Sequence, residues 1–226
     1  MTSASRAAGN VFAYVLIAVV LFAGLSFALS RSNDSAPQND ITAAQTQAAV
    51  SEILGYAAQA QSAIDQMVMN GTGIDEIDFI TPGELNFNTA PNINKLFHPD
   101  GGGLQYRTLS ANAKGTDFAT APNNYYIGKY SNVVWTPTTS QDVIFSAYGI
   151  KNSVCRELNR KVSGSTVPAV AGAAITSLFV PGSVFGGTNF DLSVSRCALC
   201  ENRSAACVQF NTDTDKNVFY SVLVAR

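Results

Sequence analysis

Four cysteines, a single histidine and two small acidic groups are the side chains of this chain whose types and spacing suit chemistry. Cys197 and Cys200 have the spacing of a zinc-ligand pair or a redox dithiol. Cys155 has no CxxC partner, Cys207 stands alone, and His98 is far away in sequence, so disulfides are preferred over metal. Four cysteines allow three pairings. The preferred one joins Cys155 to Cys207, tying a helix to the terminal sheet, and closes Cys197 with Cys200 as a local loop. His98 precedes a proline and a glycine turn and reads as a turn residue rather than a general base. Asp75, Glu76 and Asp78 read as a solvated loop cluster in preference to a catalytic carboxylate pair. Asp213 and Asp215 alternate as hard-oxygen ligands do and are weak calcium candidates, with a solvated hairpin the preferred reading. No GxSxG, Walker A or HExxH pattern is present, and residues 101–103 lack the lysine and helix of a phosphate cradle. The chain is therefore expected to have no catalytic residues and no cofactor, and not to be an enzyme.

The elements that would carry these residues begin with an uncharged apolar run, residues 11–29. It is close to the roughly 20 residues a membrane-spanning helix needs. Arg6 lies before it, Arg31 closes it, and Asp34 and Asp40 follow, a weak bias toward an N-in orientation. A retained anchor over residues 11–31 is preferred to a signal peptide cleaved after Ser30, because the run exceeds an ordinary signal h-region and has no breaker at its end. Residues 1–10 then form a leader or cytoplasmic tail, 32–40 a polar linker, and 41–226 a periplasmic α+β domain. Only 13% of residues are charged, against about 25% in typical soluble domains. Such a neutral polar surface suits an exported protein. The net charge of −2 offers no field for nucleic acid.

From Asp40, a candidate N-cap, an Ala- and Gln-rich helix runs to a stop at Asn70-Gly71. Val50, Ile53, Leu54, Ala57, Ala58, Ile64, Met67 and Val68 make its apolar stripe. Gly55, Ala57, Ala58 and Ala60 are small enough for close helix approach, either to the domain's own sheet or to a neighbouring subunit. Beyond Gly71, strands are expected at residues 77–80, 104–109, 125–130, 142–148, 192–195, 207–211 and 218–224, with residues 211–217 as a hairpin turn. A short helix over residues 151–162 places Val154, Cys155, Leu158 and Val162 on one face. Residues 167–187, small, apolar and glycine-rich, read as a long loop or as a flexible surface involved in assembly. Trp135, Tyr125, Tyr126 and Tyr130 read as core, with an exposed aromatic patch for a partner or glycan as the other reading.

The layout resembles type IV pilins and pseudopilins, and more closely a group of uncharacterised alphaproteobacterial membrane-anchored proteins of pilin-like plan. The resemblance is carried by Gly9-Asn10 with the apolar run, by residues 96–103 (LFHPDGGG), by residues 154–159 (VCRELN) and by the ending at residues 218–226 (VFYSVLVAR). It implies a long N-terminal helix, first transmembrane and then amphipathic, packed on an antiparallel sheet. It also implies processing at Gly9 with Asn10 as the new N-terminus, and a homo- or hetero-oligomeric assembly at the inner membrane. Tyr14 stands where the family carries a glutamate that pairs with a neighbour's amine. That departure points to a minor, tip or initiation subunit, or to a permanently anchored protein that never polymerises, because an unpaired amine is costly in hydrocarbon. The runner-up is a periplasmic or surface binding module that uses the 167–187 segment or the aromatic patch.

Overall fold

The computed structural model describes residues 37–162, 164, 169–170, 174–211 and 213–226. The leader, the apolar run of residues 11–31, and Gly9 and Asn10 lie outside the described residues. Among the described residues no helix is long and apolar enough to cross a membrane. The chain divides into two units, Met1–Ala44 and Gln45–Arg226. Of the first, the described part is the opening of helix α1 (Pro37–Met69), where residues 42–44 are exposed.

The helix starts at Pro37, three residues before the expected cap at Asp40. Proline fits there because the first helical N–H has no intrahelical acceptor to lose. In the second unit α1 buries Ala49, Val50, Ile53, Tyr56, Ala57, Ala60, Ala63, Ile64 and Met67, a stripe of helical period. It ends in a glycine-terminated C-cap. Gly71 takes φ +96°, Thr72 N–H donates to Met67 C=O at 3.0 Å, and Gly71 N–H to Val68 C=O at 3.0 Å.

Against this helix stands a five-stranded sheet in the order β1-β2-β5-β4-β3, formed by β1 (Tyr125–Ser131), β2 (Asp142–Ile150), β3 (Ala169–Val170), β4 (Ala205–Phe210) and β5 (Asp213–Val224). Four strands pair antiparallel, and the two-residue β3 joins β4 in parallel. The architecture is α+β. Its inner strand β2 is buried at every residue, which explains why apolar residues stand on both of its faces rather than alternating. Val143, Phe145 and Ala147 enter a core shared with α1 and with α2 (Asn152–Val162). Ile144 and Tyr148 enter a second core beneath α3 (Ala174–Phe179) and the Cys197–Cys200 loop. Both faces of the sheet are therefore covered. At Gly149 the backbone has φ +78°, and a Cβ there would meet Asn123 Oδ1 at 2.0 Å. The register shifts across this bulge, so Ile150 joins the α1 side.

Several expected elements differ. Residues 104–109 form no strand, residues 77–80 contribute only the Asp78–Lys95 bridge, and residues 192–195 only the Val133–Leu192 bridge. The expected hairpin turn at residues 211–217 is too long: Phe210 already pairs with Asp213 at the start of β5. The stretch at residues 167–187 holds β3, α3 and α4 (Gly182–Phe185) instead of a continuous loop.

Candidate functional site

The sheet ends on one side at β1, and a cleft of about 560 Å³ runs along that edge. Tyr125, Ile127, Gly128 and Lys129 of β1 form its floor. One wall is the extended segment Phe79-Ile80-Thr81, and the other comes from Pro181, Ser183 and Val184 at the start of α4. Tyr56 of α1, Phe97 and Tyr106 line the end nearer the helix.

Aromatic packing fixes this wall. Tyr56 lies 4.9 Å from Tyr125 and 5.9 Å edge-on to Phe145, and Phe97 meets Tyr106 edge-on at 5.6 Å. The phenols are anchored by hydrogen bonds. Tyr56 donates to Gln105 C=O at 3.0 Å, Tyr126 to Pro122 C=O at 2.7 Å, and Tyr125 to Glu52 Oε1 at 3.3 Å. Burial pushes the Tyr56 phenol up to about 12, against the lowering effect of Arg107. Burial likewise raises Tyr125, helped by the Glu52 carboxylate, and raises Tyr126. These phenols act as neutral donors at physiological pH. Lys129 is lowered from its ordinary value, mainly by desolvation. Its ammonium donates to Asp75 C=O at 2.6 Å and Ile74 C=O at 3.3 Å.

The carboxylates near the cleft are engaged in local structure. Asp78 accepts the Ile80 N–H at 3.0 Å, and Glu84 accepts the Thr81 N–H at 2.8 Å. Glu76 accepts the Gly73 N–H at 3.1 Å, and Asp75 is paired with Arg226. The acidic cluster at Asp75, Glu76 and Asp78 thus braces turns and the C-terminus. His98 behaves as a turn residue: its Nδ1 accepts the Asp100 N–H at 3.1 Å.

Disulfides join Cys155 to Cys207 and Cys197 to Cys200. Among the described residues no group of three or more His, Cys, Asp or Glu is placed to hold a metal ion. Asp213 and Asp215 fall within β5, and their side chains lie outside the described set. The small residues of α1 divide. Ala57 and Ala60 are buried in the domain's own core, while Ala58 is exposed and Gly55 half-buried with open space beside it.

The structure brings two separate features of the sequence together at the cleft: the tyrosines of β1 and the end of the 167–187 segment. Sequence reasoning did not single out Tyr56, Tyr106, Phe79 or Asn124. The signal available for Tyr56 was its place in the helical stripe beside Ile53 and Ala60. Neither a family model, nor a curated protein, nor a solved structure matches the chain.

Proposed function

We propose that the chain is a pilin-like assembly subunit, held by one helix in a bacterial inner membrane with its α+β domain on the periplasmic or extracellular side. It serves as a minor component rather than the main filament subunit. The observation that carries this reading is α1. From Ala49 onward the helix packs on the sheet, whereas residues 42–45, 47 and 48, all Ala, Gln or Thr, are exposed and uncharged. A helix with no charged residue over these turns and an apolar run upstream in the sequence suits lateral helix packing better than solvation. The disulfides fit an oxidising compartment. A tethered binding module is the second reading, favoured by the cleft beside β1.

Two measurements test the proposal. Mass analysis of the mature N-terminus separates Asn10 (pilin-type processing), intact Met1 (a plain anchor) and Arg31 (a secreted domain). Cysteine cross-linking from Gly55→Cys and Ala58→Cys in membranes reads self-association along the outer helix face. An Arg31 terminus, or strictly monomeric behaviour with both variants, overturns the assembly reading.

A further inference from the structure

We infer that the cleft receives an extended peptide segment of a partner polypeptide, which adds as a further strand to the open edge of β1. In the β1–β2 ladder the Tyr148 N–H donates to Asn124 C=O at 2.9 Å. The antiparallel register therefore turns the main chains of Asn124, Tyr126 and Gly128 toward β2, and those of Tyr125, Ile127 and Lys129 outward. None of these outward N–H and C=O groups has a hydrogen-bond partner among the described residues. Yet Tyr125 and Ile127 are 4% and 7% exposed, and all three residues line the cleft. Unpaired main-chain groups at a buried edge are costly, and a strand is what pairs with them.

On the other side of the sheet the polar groups of β4 are taken up. There β3 pairs with Gln209 and Phe210, and the Asn159 side chain takes both polar groups of Cys207. A second observation lies at the end of the cleft. Asn124 donates from Nδ2 to the Tyr106 hydroxyl at 3.0 Å, but its Oδ1 is buried without a partner among the described residues. The Tyr106 hydroxyl proton has no acceptor among the described residues either. Turning the amide over would let Oδ1 accept the Tyr106 hydroxyl proton and leave Nδ2 as the amide atom without a partner. In either orientation one polar atom of the Asn124 amide is left at this end of the cleft for a main-chain group to pair with.

The occupant follows from this pattern. Donors and acceptors that recur every second residue, roughly 6.8 Å apart, match an extended polypeptide and not a sugar chain. The edge is recessed between Phe79-Ile80-Thr81 and the start of α4, so a loose segment reaches it but the edge of another folded sheet does not. Asp78 and Glu84 stand at the rim, while the Lys129 ammonium is held by two carbonyls. The charge balance favours a neutral or basic peptide over an acidic one.

The test uses the full chain, isotope-labelled in detergent micelles, and a capped heptapeptide of alternating valine and threonine with a lysine at each end. The expected result is saturable binding, with slowed amide exchange at Tyr125, Ile127 and Lys129. Affinity should fall at least tenfold when alternate peptide amides are N-methylated or when glutamate replaces lysine. Ile127→Pro removes an outward N–H without removing a ladder bond to β2, and should weaken binding at least tenfold. Val184→Arg, which leaves β1 untouched, should do the same by narrowing the wall. Four results overturn the proposal: equal binding of the N-methylated peptide, no binding at millimolar peptide, protection of the same amides by a chitin tetrasaccharide but not by peptide, or protection that grows with protein concentration alone.

Discussion

Asn159 holds both main-chain polar groups of Cys207: its Nδ2 donates to the carbonyl at 2.9 Å, and its Oδ1 accepts the N–H at 2.7 Å. The side-chain amide substitutes for a strand neighbour one turn of α2 away from Cys155, the disulfide partner of the same Cys207. Asn159 is fully buried. Asn159→Leu removes both bonds and leaves a buried N–H and C=O unpaired, so a loss of about 2–4 kcal/mol is expected, measured by urea unfolding with disulfides oxidised.

The two disulfides should contribute unequally. Cys155–Cys207 spans a sequence separation of 52, and Cys197–Cys200 one of 3. Loop-closure entropy assigns about 4 kcal/mol to the long loop and about 2 kcal/mol or less to the short one. Paired Cys→Ala replacements, compared by denaturant midpoint, should show the Cys155/Cys207 double variant as clearly the weaker protein.

Lys95 is 4% exposed, and its ammonium donates to Asn86 C=O at 2.7 Å, Phe87 C=O at 2.8 Å and Asn92 Oδ1 at 3.0 Å, with Thr89 C=O as a further acceptor. The loop at residues 86–94 is wrapped around this internal cation. Lys95→Met keeps the stem and removes the donors, at an expected loss of about 3 kcal/mol. Amide exchange should accelerate through residues 86–94 and leave β2 and β5 unchanged. Uniform acceleration would show that the loop is not a separate unit.

Stability should fall steeply at alkaline pH. Burial raises the phenols of Tyr56, Tyr125, Tyr126, Tyr130, Tyr148 and Tyr220, the first to about 12. A raised folded value means that the folded chain keeps a proton the unfolded chain gives up. The contribution is therefore complete below about pH 10, the unfolded value, and is lost as pH climbs through the folded values. Urea midpoints at about pH 9, 10.5 and 11.5 should decline progressively, with tyrosinate absorbance appearing together with unfolding. A flat midpoint across that range would contradict the burial of these phenols.

Much of the framework was legible in the sequence. Val50, Ile53, Ala57, Ile64 and Met67 of the expected stripe are buried in α1 while Ala58 and Val68 are exposed, and Val154, Cys155 and Leu158 of the expected α2 face are buried while Val162 is exposed. Strands β1, β2, β4 and β5 were recognisable from their β-branched and aromatic content. Residues 104–109 misled because Leu104 and Leu109 are buried as strand residues would be. They pack over α1 without a ladder neighbour, and Gln105 C=O takes the Tyr56 hydroxyl instead. Helix α3 was hidden in a glycine-rich stretch too short for a helical period to show. The cleft was illegible for a different reason. Tyr56, Phe79, Tyr106 and Tyr126 come from separate segments and meet only through the sheet, and contacts across such distances leave no periodic trace. Asp142 is similar. It is fully buried and accepts the N–H groups of Val133 and Arg226, both at 2.7 Å, and the second bond crosses 84 positions.

The sheet is sandwiched between two separate cores, and that has a bearing on how the domain meets its surroundings. A slab insulated above and below has only its rims left for exchange with other molecules. Toward one rim an asparagine and a short parallel strand take up the polar groups of β4. A partner strand that pairs with the domain as inferred lies along the other, beside the tyrosines.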